Sequence, residues 1–383
     1  MTTDGPRNAP DVVDVVALGE SMVTFLPSRP GRLADVPSFE RGIGGAESNV
    51  ACQLAAAGHA VRWVSRVGAD GFGDHLVETV GSFGVDVSSV GRDSSRPTGV
   101  YFRTAGDRST DAHEVAYYRA GSAASAMSAD TVDLAAVRAG RVLHLSGITA
   151  ALSPGCLDLL RELTAPAPGR PLVSFDVNHR AGLWPDADGP RVLLELARRA
   201  DVVFVGEDEA EEVWGVTGGP SEIRAVLPEP GVLVVKQAAQ GATAFVSAAG
   251  TEAAGSRAAG AASVGAAAPR RRGRAITPPA RPQPADTFVP ALAVDVVATT
   301  GAGDAFAAGF LSATLRGLPV KTRLRHGHLW AAAALTVPGD LATPPTRAHA
   351  DHLAALDDDT WETLRLGPGW TQAGKAPEEV RTP

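Results

Sequence analysis

Cysteine is nearly absent: Cys52 and Cys156 are the only two in 383 residues. That excludes a disulfide framework and a cysteine-based metal cluster. No apolar run reaches the roughly 18 residues that a membrane helix needs, so no membrane partner is expected. The segment Met1 to Pro10 is polar and has no apolar stretch of the secretory kind, so a cytoplasmic location is expected. Positive charge is not in excess either: the formal net charge is −8 and the pI about 5.6. A broad footprint for nucleic acid is therefore not expected. Lysine occurs only at 236, 321 and 375. Three motifs are missing as well. No Gly-x-x-x-x-Gly-Lys-Ser/Thr excludes a P-loop, no Gly-x-Ser-x-Gly excludes a nucleophile elbow, and no His/Cys/Asp spacing suggests zinc. What is present is core material, since hydrophobic residues make up 44% and charged residues 20%.

Short β-branched runs alternate with helical patterns. The runs are Val12–Leu18, Val61–Ser65, Val142–Leu145, Leu172–Asp176, Val202–Val205, Val232–Lys236 and Ala242–Val246. Several are apolar without alternation, as strands covered on both faces are. Helical patterns fall at Ala46–Ala57, Asp74–Phe83, Leu157–Leu163, Arg191–Arg199 and Glu207–Trp214. This rhythm predicts an α/β fold: a mostly parallel central sheet with helices on both faces. Met22–Phe25, Gly99–Arg103 and Glu114–Tyr118 break it and predict a small antiparallel β-flap, from about 21–41 and 99–119.

From Ser247 to Asp286 there is no aromatic residue and no leucine, and Arg270, Arg271, Arg272 and Arg274 cluster. Such a stretch buries too little apolar surface to offset its ordering entropy. The expected organisation is a disordered tail over 1–11 and one domain over 12–246 and 287–348. A disordered insertion over 247–286 interrupts that domain, and a C-terminal helix and tail over 349–383 follow it.

The strongest local signal is Thr299-Thr300-Gly301-Ala302-Gly303-Asp304, followed by an apolar helical run over Ala305–Leu315. Glycines let a ligand approach backbone N–H groups, and a helix N-terminus leaves those groups unpaired and partly positive. Such a turn suits a phosphate, and Asp304 in the first helical turn could take a proton from a hydroxyl. A plain N-cap after a turn is the other reading. Gly42-Ile43-Gly44-Gly45-Ala46 does not directly follow the first strand and has no convincing ribose-binding acid downstream, against a dinucleotide fold.

Three motifs in register carry a resemblance. Gly44-Gly45-Ala46-Glu47-Ser48-Asn49 opens an early helix, Arg66-Val67-Gly68-Ala69-Asp70-Gly71-Phe72-Gly73 follows the next strand, and Thr299–Asp304 lies late. Their order resembles the ribokinase-like (phosphofructokinase B) carbohydrate kinases, over roughly 12–348 outside the insertion. A narrower resemblance, to 2-keto-3-deoxygluconate kinases, rests on Tyr117-Tyr118-Arg119-Ala120-Gly121, His144-Leu145-Ser146-Gly147 and Asp176-Val177-Asn178-His179-Arg180.

The resemblance implies a ribokinase-like fold and ATP-dependent transfer, with Mg²⁺, to the terminal hydroxyl of a keto-deoxy sugar acid. Asp304 would be the base, and N–H groups of Gly301, Ala302 and Gly303 the anion hole. Gly45, Asn49, Tyr101, Tyr118, Arg119, Arg180 and Asp340 would bind the sugar, with Glu20 a weaker candidate. Arginine suits its carboxylate because the guanidinium fork is planar and bidentate. Lys236, Gln240, Gly241, Gly301 and Gly303 would face ATP, and Glu209 would act indirectly on the metal. The chain departs from the family at Ala238, Gly206 and Ala298, where glycine, Asn and Asp are usual. A kinase for fructose or ribose, or a weakly catalytic sugar-binding regulator, therefore stays open. A homodimer through the flap follows by analogy.

Overall fold

The computed structural model describes residues 11–29, 31–104, 115–184, 188–247 and 285–375. The first half contains β1 (Val13–Leu18), β2 (Met22–Pro27), β3 (Phe39–Gly44), α1 (Ala46–Ala56), β4 (Val61–Gly68), α2 (Gly71–Ser82), β5 (Val90–Asp93), β6 (Val100–Arg103) and β7 (Val115–Tyr118). Next come α3 (Leu134–Arg138), β8 (Gly140–Ser146), α4 (Gly147–Ala151), α5 (Pro154–Thr164), β9 (Leu172–Asp176), α6 (Gly189–Arg199), β10 (Val202–Gly206), α7 (Glu207–Trp214) and α8 (Pro220–Val226). The last part holds β11 (Val232–Lys236), β12 (Gly241–Val246), β13 (Ala285–Pro290), α9 (Ala302–Leu315), α10 (Val320–Leu335), α11 (Arg347–Ala354) and α12 (Asp358–Thr363).

Nine strands make the main sheet, in the order β13-β12-β11-β10-β9-β8-β1-β4-β5. In this sheet β5, β4, β1, β8, β9, β10 and β11 are parallel, and β12 and β13 form an antiparallel edge. Each central strand sends alternate residues to opposite faces. Val15, Val202, Phe204 and Val234 enter one core with α1, α9 and α10. Val16, Leu18, Val203 and Val235 enter the other, beneath α5 and α6. Both faces being covered is why these strands are apolar throughout.

All seven sequence-read strands are present; Leu172–Asp176 and Val232–Lys236 keep their ends, and the other five are shifted. Two helices begin about a turn earlier than their apolar pattern, because polar caps and not apolar residues start them. Asp70 accepts from the N–H groups of Phe72 and Gly73 ahead of α2, and Ser153 accepts from Cys156 N ahead of α5. Asp70 also accepts from Thr98 N at 2.9 Å, so the Gly-Ala-Asp-Gly motif pins the approach to the flap.

The flap is a four-stranded sheet, β3-β2-β6-β7. It is mixed and not purely antiparallel, since β2 and β6 run parallel. β3 extends it to Gly44, beyond the expected limit near 41. Gly42, Ile43 and Gly44 are the end of that strand, paired with Thr24, Val23 and Met22.

The insertion boundary needs correction too: Ala285 and Asp286 already belong to β13. Residues 248–284, and with them the arginine cluster, lie outside the described residues, as do 1–10 and 376–383. The segment's ends are close, because Val246 pairs with Ala285 across β12 and β13. Among the described residues no helix is long and apolar enough to cross a membrane.

Candidate active site

The site forms where the C-terminal ends of the parallel strands meet the N-termini of α1 and α9, under the flap. Gly301 caps α9 in a left-handed conformation, with φ of 78°. Glycine is required there twice over: the φ disfavours a side chain, and a Cβ would collide with the carbonyl of Asp340. No side chain caps α9. Its first N–H groups, around Ala302 and Gly303, have no partner from the preceding turn, as an anion hole requires.

Asp304 stands in the first turn of α9, as expected. Its Oδ2 accepts from Asn49 Nδ2 at 2.8 Å, joining the two helix starts across 255 residues of sequence. Burial pushes Asp304 up to about 7, although the Asn49 bond and the nearby charges of Lys236 and Arg180 pull the other way. That value suits a general base working near neutrality. Asn49 Oδ1 is buried without a protein partner, an acceptor left over for a hydroxyl. Gly45, ahead of α1, lies so close to Glu20 and Ser21 that a Cβ there would strike their backbone.

On the far side of Asp304, Lys236 Nζ meets Asp176 Oδ2 at 3.0 Å. A Cβ on Gly303 would come within 3.6 Å of the same nitrogen. Burial by itself would lower Lys236, but Asp176 and Glu209 outweigh it and hold the ammonium above its usual range. Lys236 is thus a permanent cation beside the phosphate loop, with Asp176 a partner that sequence reading missed. Glu209 is raised by burial, and its two oxygens accept the N–H groups of His179 and Gly206. It staples β10 to the segment after β9. Asp176 and Glu209 flank Lys236 without forming a metal cage, and no such group of ligands occurs among the described residues. The arrangement fits magnesium carried on ATP phosphates with water in its shell.

Gln240 lies in the turn from β11 to β12, where its N–H donates to Gln237 O at 2.9 Å, and Gly241 opens β12. Ala238, in the place of a family glycine, is left-handed, with φ of 46°. The turn keeps a glycine-like shape at a strain of about 1 kcal/mol.

Flap register corrects one assignment. Tyr101 pairs with Tyr117 and Val100 with Tyr118. Cross-strand partners share a face, so Tyr117 stands beside Tyr101 and Tyr118 points the other way. The rings of Tyr101 and Tyr117 are 5.4 Å apart, and Tyr118 is 66% exposed against the outer edge of Phe102. Tyr101 and Tyr117 therefore share one face of the flap and Tyr118 lies on the other.

Arg119 is also not the free fork the sequence suggests. It is paired with buried Glu20, which accepts from Ser122 Oγ at 2.5 Å as well. Glu20 thereby ties Arg119 to Ser122. Arg180 is different: it is exposed, and its guanidinium donates to the neighbouring His179 carbonyl at 2.9 Å. Asn178, at φ of 41°, turns the chain just before it.

Asp340 is buried where the flap meets the α9 loop. Tyr101 donates to its Oδ2 at 2.6 Å and Arg103 reaches its Oδ1 at 2.7 Å. Burial raises its pKa against both partners. Arg103, missed in the sequence, carried only the signal of a charge ending an otherwise apolar flap strand.

Residues 13–260 and 284–347 match the pfkB family carbohydrate kinase model. The 2-dehydro-3-deoxygluconokinase of Bacillus subtilis (strain 168) is 32% identical, covering 88% of this chain and 93% of its own. The enzyme of that name from Thermoproteus tenax is 30% identical over 92% and 97%. Fructokinase-1 of Zea mays is 31% identical over 56% and 67%. The crystal structure of the PfkB protein from Polaromonas sp. JS666 superposes with a TM-score of 0.71 at 31% identity, covering 88% of this chain and 99% of that one.

Proposed function

Because the chain belongs to the pfkB family of carbohydrate kinases, which use ATP to phosphorylate sugars, we propose that its sugar is a keto-deoxy acid, 2-keto-3-deoxygluconate, phosphorylated at the terminal hydroxyl. The observation that carries this reading is Arg180. Its guanidinium lies beyond β9, close enough to bear on Asp304, and donates to the carbonyl of its own neighbour His179. A neutral sugar has no charge to offer it, whereas a carboxylate matches its fork.

In the proposed reaction Asp304 takes the proton of the terminal hydroxyl. That oxygen forms a bond to the γ-phosphorus as the bond to the β–γ bridging oxygen breaks, and ADP leaves. The N–H groups of Gly301, Ala302 and Gly303 meet the charge on the transferring group, and Lys236 adds a fixed positive charge. Asn49 orients Asp304 and offers Oδ1 to the sugar, and Tyr101 and Tyr117 cover it. Magnesium, when bound with ATP, neutralises phosphate charge; Asp176 and Glu209 are the acids we assign to its water shell. Phe25 stacked on Phe102, with exposed Tyr118 beside them, supports pairing of two copies through the outer flap.

A panel of 2-keto-3-deoxygluconate, D-fructose and D-ribose with coupled ADP detection tests the reading. The acid should have the highest kcat/KM. Preference for fructose would reassign the substrate, and no ADP with any of the three would favour a sugar-binding regulator.

A further inference from the structure

Arg103 belongs to the flap, yet its guanidinium is spent on the phosphate loop. Nη1 donates to the hydroxyl of Thr300, one residue before the glycine that caps α9. Nη2 donates to Pro338 O at 3.2 Å and pairs with Asp340 Oδ1 at 2.7 Å. The Asp340 backbone in turn packs against Gly301, and its carboxylate takes the Tyr101 hydroxyl. Arg103 and Tyr101 are two residues apart on β6 and so share the sugar-side face. Whatever moves Tyr101 over the sugar moves Arg103 against Thr300. The Arg103 side chain is 11% exposed, so water competes little for these bonds.

We propose that Arg103 is a positioning residue through which flap closure over the sugar sets the shape of the anion-hole loop, coupling sugar occupancy to ATP phosphate binding. At the start of that loop Ala298 N donates to Leu335 O, and Thr300 is held from the flap. The inference rests on sugar-kinase chemistry and not on which sugar is used. A wild type that prefers D-fructose would overturn the proposed substrate and leave the test below intact.

Arg103→Lys, Thr300→Val, Thr300→Ser and the Arg103→Lys/Thr300→Val pair would be compared with 2-keto-3-deoxygluconate as acceptor, or D-fructose if the wild type prefers it. Losing a charge-assisted bond to the loop should lower kcat about tenfold or more in Arg103→Lys and Thr300→Val, with the sugar KM changed less than about threefold. The double variant should be no worse than the poorer single, and Thr300→Ser, which keeps the hydroxyl, should recover most of kcat. Calorimetry with a non-hydrolysable ATP analogue supplies the second readout. Saturating sugar should tighten its binding several-fold in the wild type and hardly at all in Thr300→Val. A structural role alone would change the folded fraction and leave that ratio intact. Wild-type kcat and an unchanged ratio in Thr300→Val would overturn the proposal.

Discussion

Replacing Asp304 by Asn separates chemistry from stability, because burial makes this carboxylate costly to keep charged. Asn retains the shape and can still accept from Asn49 Nδ2, now 2.8 Å from the aspartate. It cannot take a proton, so turnover should fall about 10²–10⁴-fold, with ATP and sugar binding largely kept. Stability should move the opposite way. The carboxyl rises from an ordinary 3.8 to about 7 in the fold. Between those values the unfolded chain has released the proton and the native one holds it, so native stability falls as pH rises from 4 to 7. Three units would correspond to about 4 kcal/mol, and partial exposure of Asp304 to water reduces this to about 2 kcal/mol. The loss is absent near pH 4 and complete above 7, so Asp304→Asn should gain about 3 °C in Tm at pH 8 and almost nothing at pH 4.5. Thermal melts by circular dichroism at the two pH values, with kcat measured alongside, test both halves. Equal Tm shifts at the two pH values would refute the burial argument, and wild-type kcat would refute the base assignment. Wild-type kcat/KM should also climb with pH through about 7 as Asp304 ionises.

Arg180→Lys should raise KM for the sugar acid roughly tenfold and change the rate on a neutral sugar little, because lysine keeps the charge and loses the fork; equal effects on both sugars would remove the carboxylate role. Replacing residues 249–283 by a short Gly/Ser turn should preserve folding and activity, since Val246 and Ala285 are already paired neighbours and closure cost varies slowly with length; insoluble protein would show that the segment contributes structure. Ala298→Asp should change kcat by less than about fivefold, because Arg103 already holds Thr300 and a cap-like bond is worth roughly 1 kcal/mol. Steady-state kinetics giving a tenfold gain would mean that the loop is loose despite Arg103.

The amino-acid order alone was enough for the layered α/β architecture, because strands buried on both faces are apolar throughout, and Val202–Val205 and Val232–Val235 are valine-rich and too short for helices. It also placed Asp304 in the first turn of a helix behind Gly301, since backbone conformation and capping are local. Asp70 and Ser153 set their helix starts locally as well, and the apolar pattern concealed them because caps are polar. Which residues meet across the chain was a different matter. Tyr117 and Tyr118 are adjacent and chemically identical, and only the pairing with β6 decides which one faces Tyr101, because a strand turns successive side chains to opposite sides. Arg119 and Arg180 read as equivalent forks until the fold sets Glu20 against the first and leaves the second exposed. Asn49 and Asp304 are 255 residues apart, and the bond between them exists only because α1 and α9 begin at the same edge of the sheet. Arg103 is the clearest case: its partners Thr300, Pro338 and Asp340 come from two distant segments, so the tertiary fold alone could turn a charge at a strand end into the link between flap and phosphate loop.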